Sequence, residues 1–166
     1  MRDILQPGLR VVIAGTIAQW HRDEREHWYA GAGNNFWTLL HESGLTPRLL
    51  AAAEADELPR YGIGLTDLVR VRESVPGEPP VFDLPAFLTA VEWADPDAVA
   101  FVSKTAASSY ARRAGERLPR GYGPLSWTVA GRPAFVLPGP SGANNGMPLP
   151  LRIALWSDLA DFLETL

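Results

Sequence analysis

The chain has 166 residues, enough for one domain with a sizeable core and too few for two. Fifteen Lys and Arg against nineteen Asp and Glu give a formal charge of −4, which confines any nucleic-acid site to a local patch on a mildly acidic body. The absence of cysteine excludes disulfides, thiolate catalysis and Cys-ligated metals and fits a reducing cytosol. With no apolar signal core in MRDILQPGLR and no run of about 18 apolar residues, a soluble cytoplasmic protein is expected.

The first element is LRVVIAG, a β-branched run stopping at Gly15 that reads as a buried parallel strand. The polar stretch TIAQWHRDEREHWYAGAG follows, either a short helix over HRDEREHW or an ordered loop. Asn34 or Asn35 can cap a helix through about Ser43, with Gly44 as its stop. LTPRLLAAAEADEL predicts a turn and a short helix from near Thr46 and Pro47, and YGIGLTDLV, with two glycines, an irregular strand or loop.

RESVPGEPPVFD reads as a surface loop, after which Asp83 can cap a helix through about Trp93. DAVAFVSK is the next strand and TAASSYARRAG its following helix, ended by Gly115. LSWTVAG and RPAFVLPGPSG form two more strands, the second emptying into a Gly/Pro loop. The last segment places Leu151, Leu155, Leu159 and Phe162 on one stripe of a closing helix. Strands alternating with helices predict one α/β domain over residues 1–166, a three-layer α/β/α sandwich around a short, mostly parallel four-stranded sheet.

In such sheets ligands bind outside the carboxyl ends of the strands, where GTIAQW, GLTDL, SKTA and LPGPSGANN all fall. GTIAQW fails the dinucleotide fingerprint, and there is no GK[ST] phosphate loop. PGPSGANN offers backbone N–H groups and the Ser141 hydroxyl to a phosphate oxygen, though such turns also end strands with no ligand. Asp67, between Leu65 and Leu68, either holds a turn or places a carboxylate at the crevice lip, able to orient water or face a developing cation. His21 and His27 lie among Asp23, Glu24 and Glu26 without a recognised metal spacing, and no metal is assigned. Lys104 either supports a phosphate or is a solvated lysine at a helix start. Tyr29 can stack on a flat ligand, while Phe36 and Trp37 belong to the core. Asn34 can cap the helix, read a base edge, or do both with different atoms.

Taken together, DILQPGLRVVIAG, YAGAGNNFWTLLHESGLTPRLL, YGIGLTDLV, AFVSKTA and YGPLSWTVAGRPAFVLPGPSG resemble the uracil-DNA glycosylase superfamily, most closely its mismatch-specific uracil and thymine branch. The segments follow the family's order over nearly the whole chain. The resemblance implies a monofunctional DNA glycosylase that hydrolyses the N-glycosidic bond of uracil or a related damaged or mismatched base flipped from DNA, without metal or cofactor, acting as a monomer and not on membranes. The branch's first-strand loop reads Gly-Ile-Asn-Pro-Gly. Here GTIAQ puts Ile17 at the place of the water-positioning asparagine.

Two residues can compensate, Asp67 first and Asn34 second, because an anion can both hold water and stabilise the positive sugar left by the departing base. The resemblance further implies a base pocket of Tyr29, Gly15, Thr16 and Ile17, and DNA contacts through Ser141, Gly142, Ala143, Asn144 and Lys104. Gly139 stands where the family has the asparagine of Leu-Pro-Asn-Pro-Ser, and Ala143 and Asn144 would form a weak wedge in the duplex. Arg112, Arg113, Arg117 and Arg120 can form a phosphate patch or simply solubilise a surface. The alternative is a non-catalytic or weakly catalytic binder of damaged or abasic DNA with the same fold. A small-molecule α/β hydrolase finds no GxSxG elbow to support it.

Overall fold

The computed structural model describes residues 2–17 (at Ile17 the backbone alone), 27–69, 82–142 and 146–166. The readings of HRDERE and of RESVPGEPP therefore lie outside the described residues, as do Ala143 and Asn144. Five strands form one sheet in the order β2-β1-β3-β5-β4. These are β1 (Val11–Ile17), β2 (Ile63–Val69), β3 (Ala98–Val102), β4 (Gly123–Val129) and β5 (Arg132–Leu137). β2, β1, β3 and β5 run parallel, and β4 closes one edge antiparallel to β5. The sheet thus has five strands where the sequence predicted four.

The additional strand is β2. Its two glycines read as loop signals, yet each has a tertiary reason to be there. Gly62, at φ 76°, ends the preceding 3-10 helix in the left-handed conformation. A Cβ at Gly64 would lie 2.6 Å from Leu9 Cδ1 and 2.9 Å from Leu5 Cδ2, so its bare backbone admits the N-terminal segment. That segment also shields the β2 edge, where Ile4 pairs antiparallel with Leu65.

Alternation along the strands sorts the core into two layers. Val11, Ile13, Ile63, Leu65, Ala98, Ala100, Phe135 and Leu137 face helices α1 (Phe36–Glu42) and α4 (Leu149–Glu164). Ala14, Leu68, Val99, Phe101, Ala134 and Val136 face α2 (Leu84–Ala94) and α3 (Lys104–Ala114). The three-layer α/β/α arrangement follows directly from this two-sided burial. Phe36, Phe87, Phe101, Phe135 and Trp156 are fully buried, each contributing roughly 1.5–3 kcal/mol of transfer free energy.

The start of α2 and the end of α3 follow their sequence signals, and Ser103 adds a further cap. Asp83 accepts a hydrogen bond from the Ala86 N–H at 3.0 Å, Ser103 accepts from the Ala106 N–H at 3.1 Å, and Gly115 closes α3 at φ 73°. Two expectations shift. The segment from Thr46 and Pro47 stays non-helical until a 3-10 helix at Ala52–Tyr61. On α4 the buried stripe is Arg152, Trp156, Leu159 and Leu163, with Leu151 exposed. Trp156, the largest of these side chains, sets the rotation of the helix by filling the space against Phe36.

Candidate functional site

In the order β2-β1-β3-β5 the connections leave β1 in opposite directions, so the topological switch point lies between the carboxyl ends of β1 and β3. The described parts of the four predicted segments lie along β1 and β2 and just after β3 and β5. β1 runs two residues past Gly15, and Ile17 pairs with Val69, so Gly15 lies inside the strand and does not end it.

Gly15 and Asp67 are direct partners across the β1–β2 pair and face the same side of the sheet. A Cβ at Gly15 would lie 2.6 Å from Asp67 Oδ1 and 3.1 Å from the Tyr29 hydroxyl oxygen. Glycine is thus required by close approach: its hydrogen leaves the space into which carboxylate and phenol converge. Asp67 is only 7% exposed, and its neighbour Thr66, on the opposite face, donates a hydrogen bond to Asp3 Oδ1 at 3.0 Å. A buried carboxyl group held inside a strand is fixed in position, and of the two roles the sequence left open the turn-holding one does not apply there.

Tyr29 has φ 51°, a costly conformation for an aromatic residue. Its ring stacks on Phe36 at 3.9 Å with 16° between planes, and Phe36 in turn packs edge-on against Trp37 and Trp156. One face of Tyr29 is therefore covered by Phe36. Burial, reinforced by the negative charge of Asp67, pushes the phenol well above the usual tyrosine range. It remains a neutral O–H donor throughout the neutral range.

Asn34 spends its Oδ1 on the Phe36 N–H, at 2.9 Å, at the entrance of α1. Asn35 occupies the formal capping position without a side-chain bond, its N–H donating instead to the Pro140 carbonyl at 2.9 Å. This bond docks the Tyr29–Asn35 loop on the loop after β5. A second close approach secures the same junction: a Cβ at Gly142 would lie 2.6 Å from the Gly33 carbonyl oxygen.

Ser141 and Gly142 are exposed on the outer side of that loop. Lys104 opens α3, exposed, with its ammonium 4.6 Å from the centre of the Tyr122 ring. Thr16 is half-buried near the end of β1. Arg112 and Arg113 occupy the last turn of α3, roughly 12–15 Å along the helix from Lys104 at 1.5 Å per residue, so they do not share its end of the sheet.

Sequence reasoning missed three participants. Ser103, between β3 and α3, has φ 111° and ψ 154°, a region ordinarily reserved for glycine, and its Cβ lies 3.6 Å from where a Gly139 Cβ would stand. Trp156 donates its Nε1–H to the Pro138 carbonyl at 3.0 Å. Arg152, 6% exposed, donates to the Ser141 carbonyl at 3.2 Å and to the Gly139 carbonyl at 3.4 Å. An arginine inside LPLRIALW, one turn before a tryptophan, was the available signal for the last pair.

The architecture is that of an α/β protein with its polar site at the carboxyl end of a parallel sheet. Comparison with known proteins places it more closely. The sequence profile of the uracil DNA glycosylase superfamily matches residues 3–160. The chain is also similar in fold to the solution NMR structure of a candidate uracil DNA glycosylase from Methanosarcina acetivorans, with a TM-score of 0.64 and 20% identity over 98% of this chain and 96% of that one. The chain belongs to the uracil DNA glycosylase superfamily.

Proposed function

We propose that this protein is a monofunctional DNA glycosylase that removes uracil or a related damaged or mismatched base extruded from DNA. The observation that carries the reading is the buried Asp67 carboxylate, converging with the Tyr29 hydroxyl on the bare backbone of Gly15 at the carboxyl end of the sheet. As the bond from C1′ to the base nitrogen breaks, its electron pair leaves with the base and positive charge develops on the sugar. A fixed anion stabilises that charge and orients water for addition at C1′. The water oxygen becomes the C1′ hydroxyl, one of its protons ends on the departing base, and no redox partner is needed.

The other residues take complementary roles. Asn34, with Oδ1 held by the helix, presents its NH2 group as a donor to a base carbonyl on which negative charge accumulates. Tyr29 would stack on the base, beside Gly15, Thr16 and Ile17. Ser141, Gly142 and Lys104, all exposed, would contact the phosphates flanking an extruded nucleotide. The domain would act on DNA alone, as a monomer, in the cytoplasm. A second reading, a damaged-DNA binder without hydrolysis, is favoured by one observation: β1 continues through Ile17, paired with Val69, where the resembling branch carries its water-positioning asparagine.

Single-turnover base release from duplexes carrying U·G, U·A, T·G and hypoxanthine·T, and from single-stranded uracil, tests the choice. Release that disappears in Asp67→Asn supports the aspartate-dependent glycosylase. DNA binding without release from any substrate supports the binder.

A further inference from the structure

The loop after β5 is held from behind by one face of α4. Trp156 takes the Pro138 carbonyl, and Arg152 takes the carbonyls of Gly139 and Ser141. Every described peptide bond is trans, so the N–H of each peptide points opposite to its carbonyl. With the Ser141 carbonyl drawn toward α4, the N–H of Gly142 is turned away from that helix, at the exposed end of the loop. At that end the peptide is sorted, its acceptor inward and its donor outward.

Arg152 contributes more than two hydrogen bonds. It is 94% buried by complement of its 6% exposure, its Nε has no hydrogen-bond partner, and among the described residues no carboxylate pairs with it. Among the described residues this buried guanidinium meets carbonyl oxygens and no neutralising carboxylate, behind the outward N–H of Gly142. If tethering the loop were its whole purpose, a neutral donor would serve at lower desolvation cost.

We propose that Arg152 is a positioning residue that also supplies the fixed counter-charge for a single phosphodiester seated on the outer side of the Gly139–Gly142 loop. The arginine does not touch the DNA; it acts through the loop, by orienting the Gly142 N–H and by its field at short range in a poorly screened interior. This rests on the reading of the protein as a DNA-acting enzyme.

The test is a cycle between Arg152 and the charge of individual phosphates. Duplexes carrying a non-hydrolysable 2′-fluoro-deoxyuridine opposite guanine are made with a neutral methylphosphonate at each position flanking the lesion, one at a time. Dissociation constants are measured for wild type, Arg152→Gln and Arg152→Lys, each first checked for a native thermal transition, and single-turnover release is followed on the cleavable counterparts.

One methylphosphonate position should weaken wild type by roughly tenfold, the loss of about one charge-assisted contact. Arg152→Gln should be weakened on the ordinary duplex and indifferent to that substitution, with Arg152→Lys recovering part of the sensitivity. Equal weakening of Arg152→Gln on every duplex, neutral or charged, would overturn the inference and leave the glycosylase reading standing. Coupling without base release would keep the inference and sink hydrolysis. Failure of wild type to bind any duplex would overturn both.

Discussion

Asp67 and Ser141 lie at the same end of the sheet and are held there by opposite means. Asp67 is built into β2, its position set by strand register and by a missing side chain on the neighbouring strand. Ser141 sits on a loop whose course is set from outside, by α4 drawing its carbonyls inward and by the Asn35 N–H on Pro140. A site that must hold a charge within a fraction of an ångström gains from the first arrangement, and one that must accommodate a backbone gains from the second. The difference predicts that substitutions in the sheet will change the rate of chemistry, whereas substitutions in the loop will change affinity.

The largest effect is expected at Asp67. Asp67→Asn keeps the shape and removes the anion, and base release should fall by about 10²–10⁴-fold, the range for loss of a positioned acid–base group. DNA affinity should hold or rise slightly. A variant that releases base at wild-type rate would remove Asp67 from the chemistry and return attention to Asn34. Gly15→Ala comes next. Its Cβ would stand 2.6 Å from Asp67 Oδ1, so the carboxylate must turn away, and since a displacement near 1 Å can cost about 10²-fold, activity should drop by that order. Overpacking should cost about 1–3 kcal/mol in stability, read by urea unfolding. Full activity in Gly15→Ala would show that Asp67 works from a different rotamer.

On the loop side, Gly142→Ala drives a methyl group to 2.6 Å from the Gly33 carbonyl, a backbone atom that cannot swing aside. The two loops must part, and weaker DNA binding with little change in the single-turnover rate at saturation is the expected split. Gly139→Asn is the contrasting case. A Cβ there meets only Ser103 Cβ at 3.6 Å, an ordinary contact, and Gly139 does not hold a positive φ. Restoring the residue usual in the resembling branch should change stability by less than about 0.5 kcal/mol. A larger loss would mean that the strained Ser103 backbone tolerates no neighbour at that position.

How far the sequence anticipated this division depends on what each element needs from its neighbours. β1, β3, α2 and α3 were legible because their signals are local: a β-branched run, an Asp cap, a closing glycine. β2 was not, since Gly62 and Gly64 look like breakers until the N-terminal segment is seen lying against them. The position of Asp67 on a strand, and hence its pairing with Gly15, depended on an element left open between irregular strand and loop. The loop residues Ser141 and Gly142 were legible from composition. Arg152 and Trp156, which orient that loop, were left off the expected stripe, which shares only Leu159 with the buried one, because periodicity fixes a helix's pattern better than its rotation. Ser103 could not be read at all, since nothing in SKTA announces a positive φ.

Tyr29 belongs to both regions, its hydroxyl at Gly15 and its backbone in the loop that meets Pro140, and it gives the smallest and most selective prediction. Burial first, then the charge of Asp67, raises its pKa, so it stays protonated across the neutral range in the folded protein. In the unfolded chain a tyrosine loses its proton near pH 10. The unfolded state therefore sheds that proton first, and the stabilisation present below about pH 10 is lost as pH rises toward the folded pKa. Tyr29→Phe should flatten part of the fall in urea midpoint between pH 8.5 and about 10.5. A remainder persists from Tyr110, whose phenol burial and the charge of Glu116 also raise. The shape of the release-rate profile between about pH 5 and 9 should be the same with and without the hydroxyl, because no ionisation of Tyr29 falls in that window. An alkaline limb that vanishes in Tyr29→Phe would place the phenol's ionisation within the working range and make the Asp67–Tyr29 pair, rather than Asp67 alone, the titrating unit of the site.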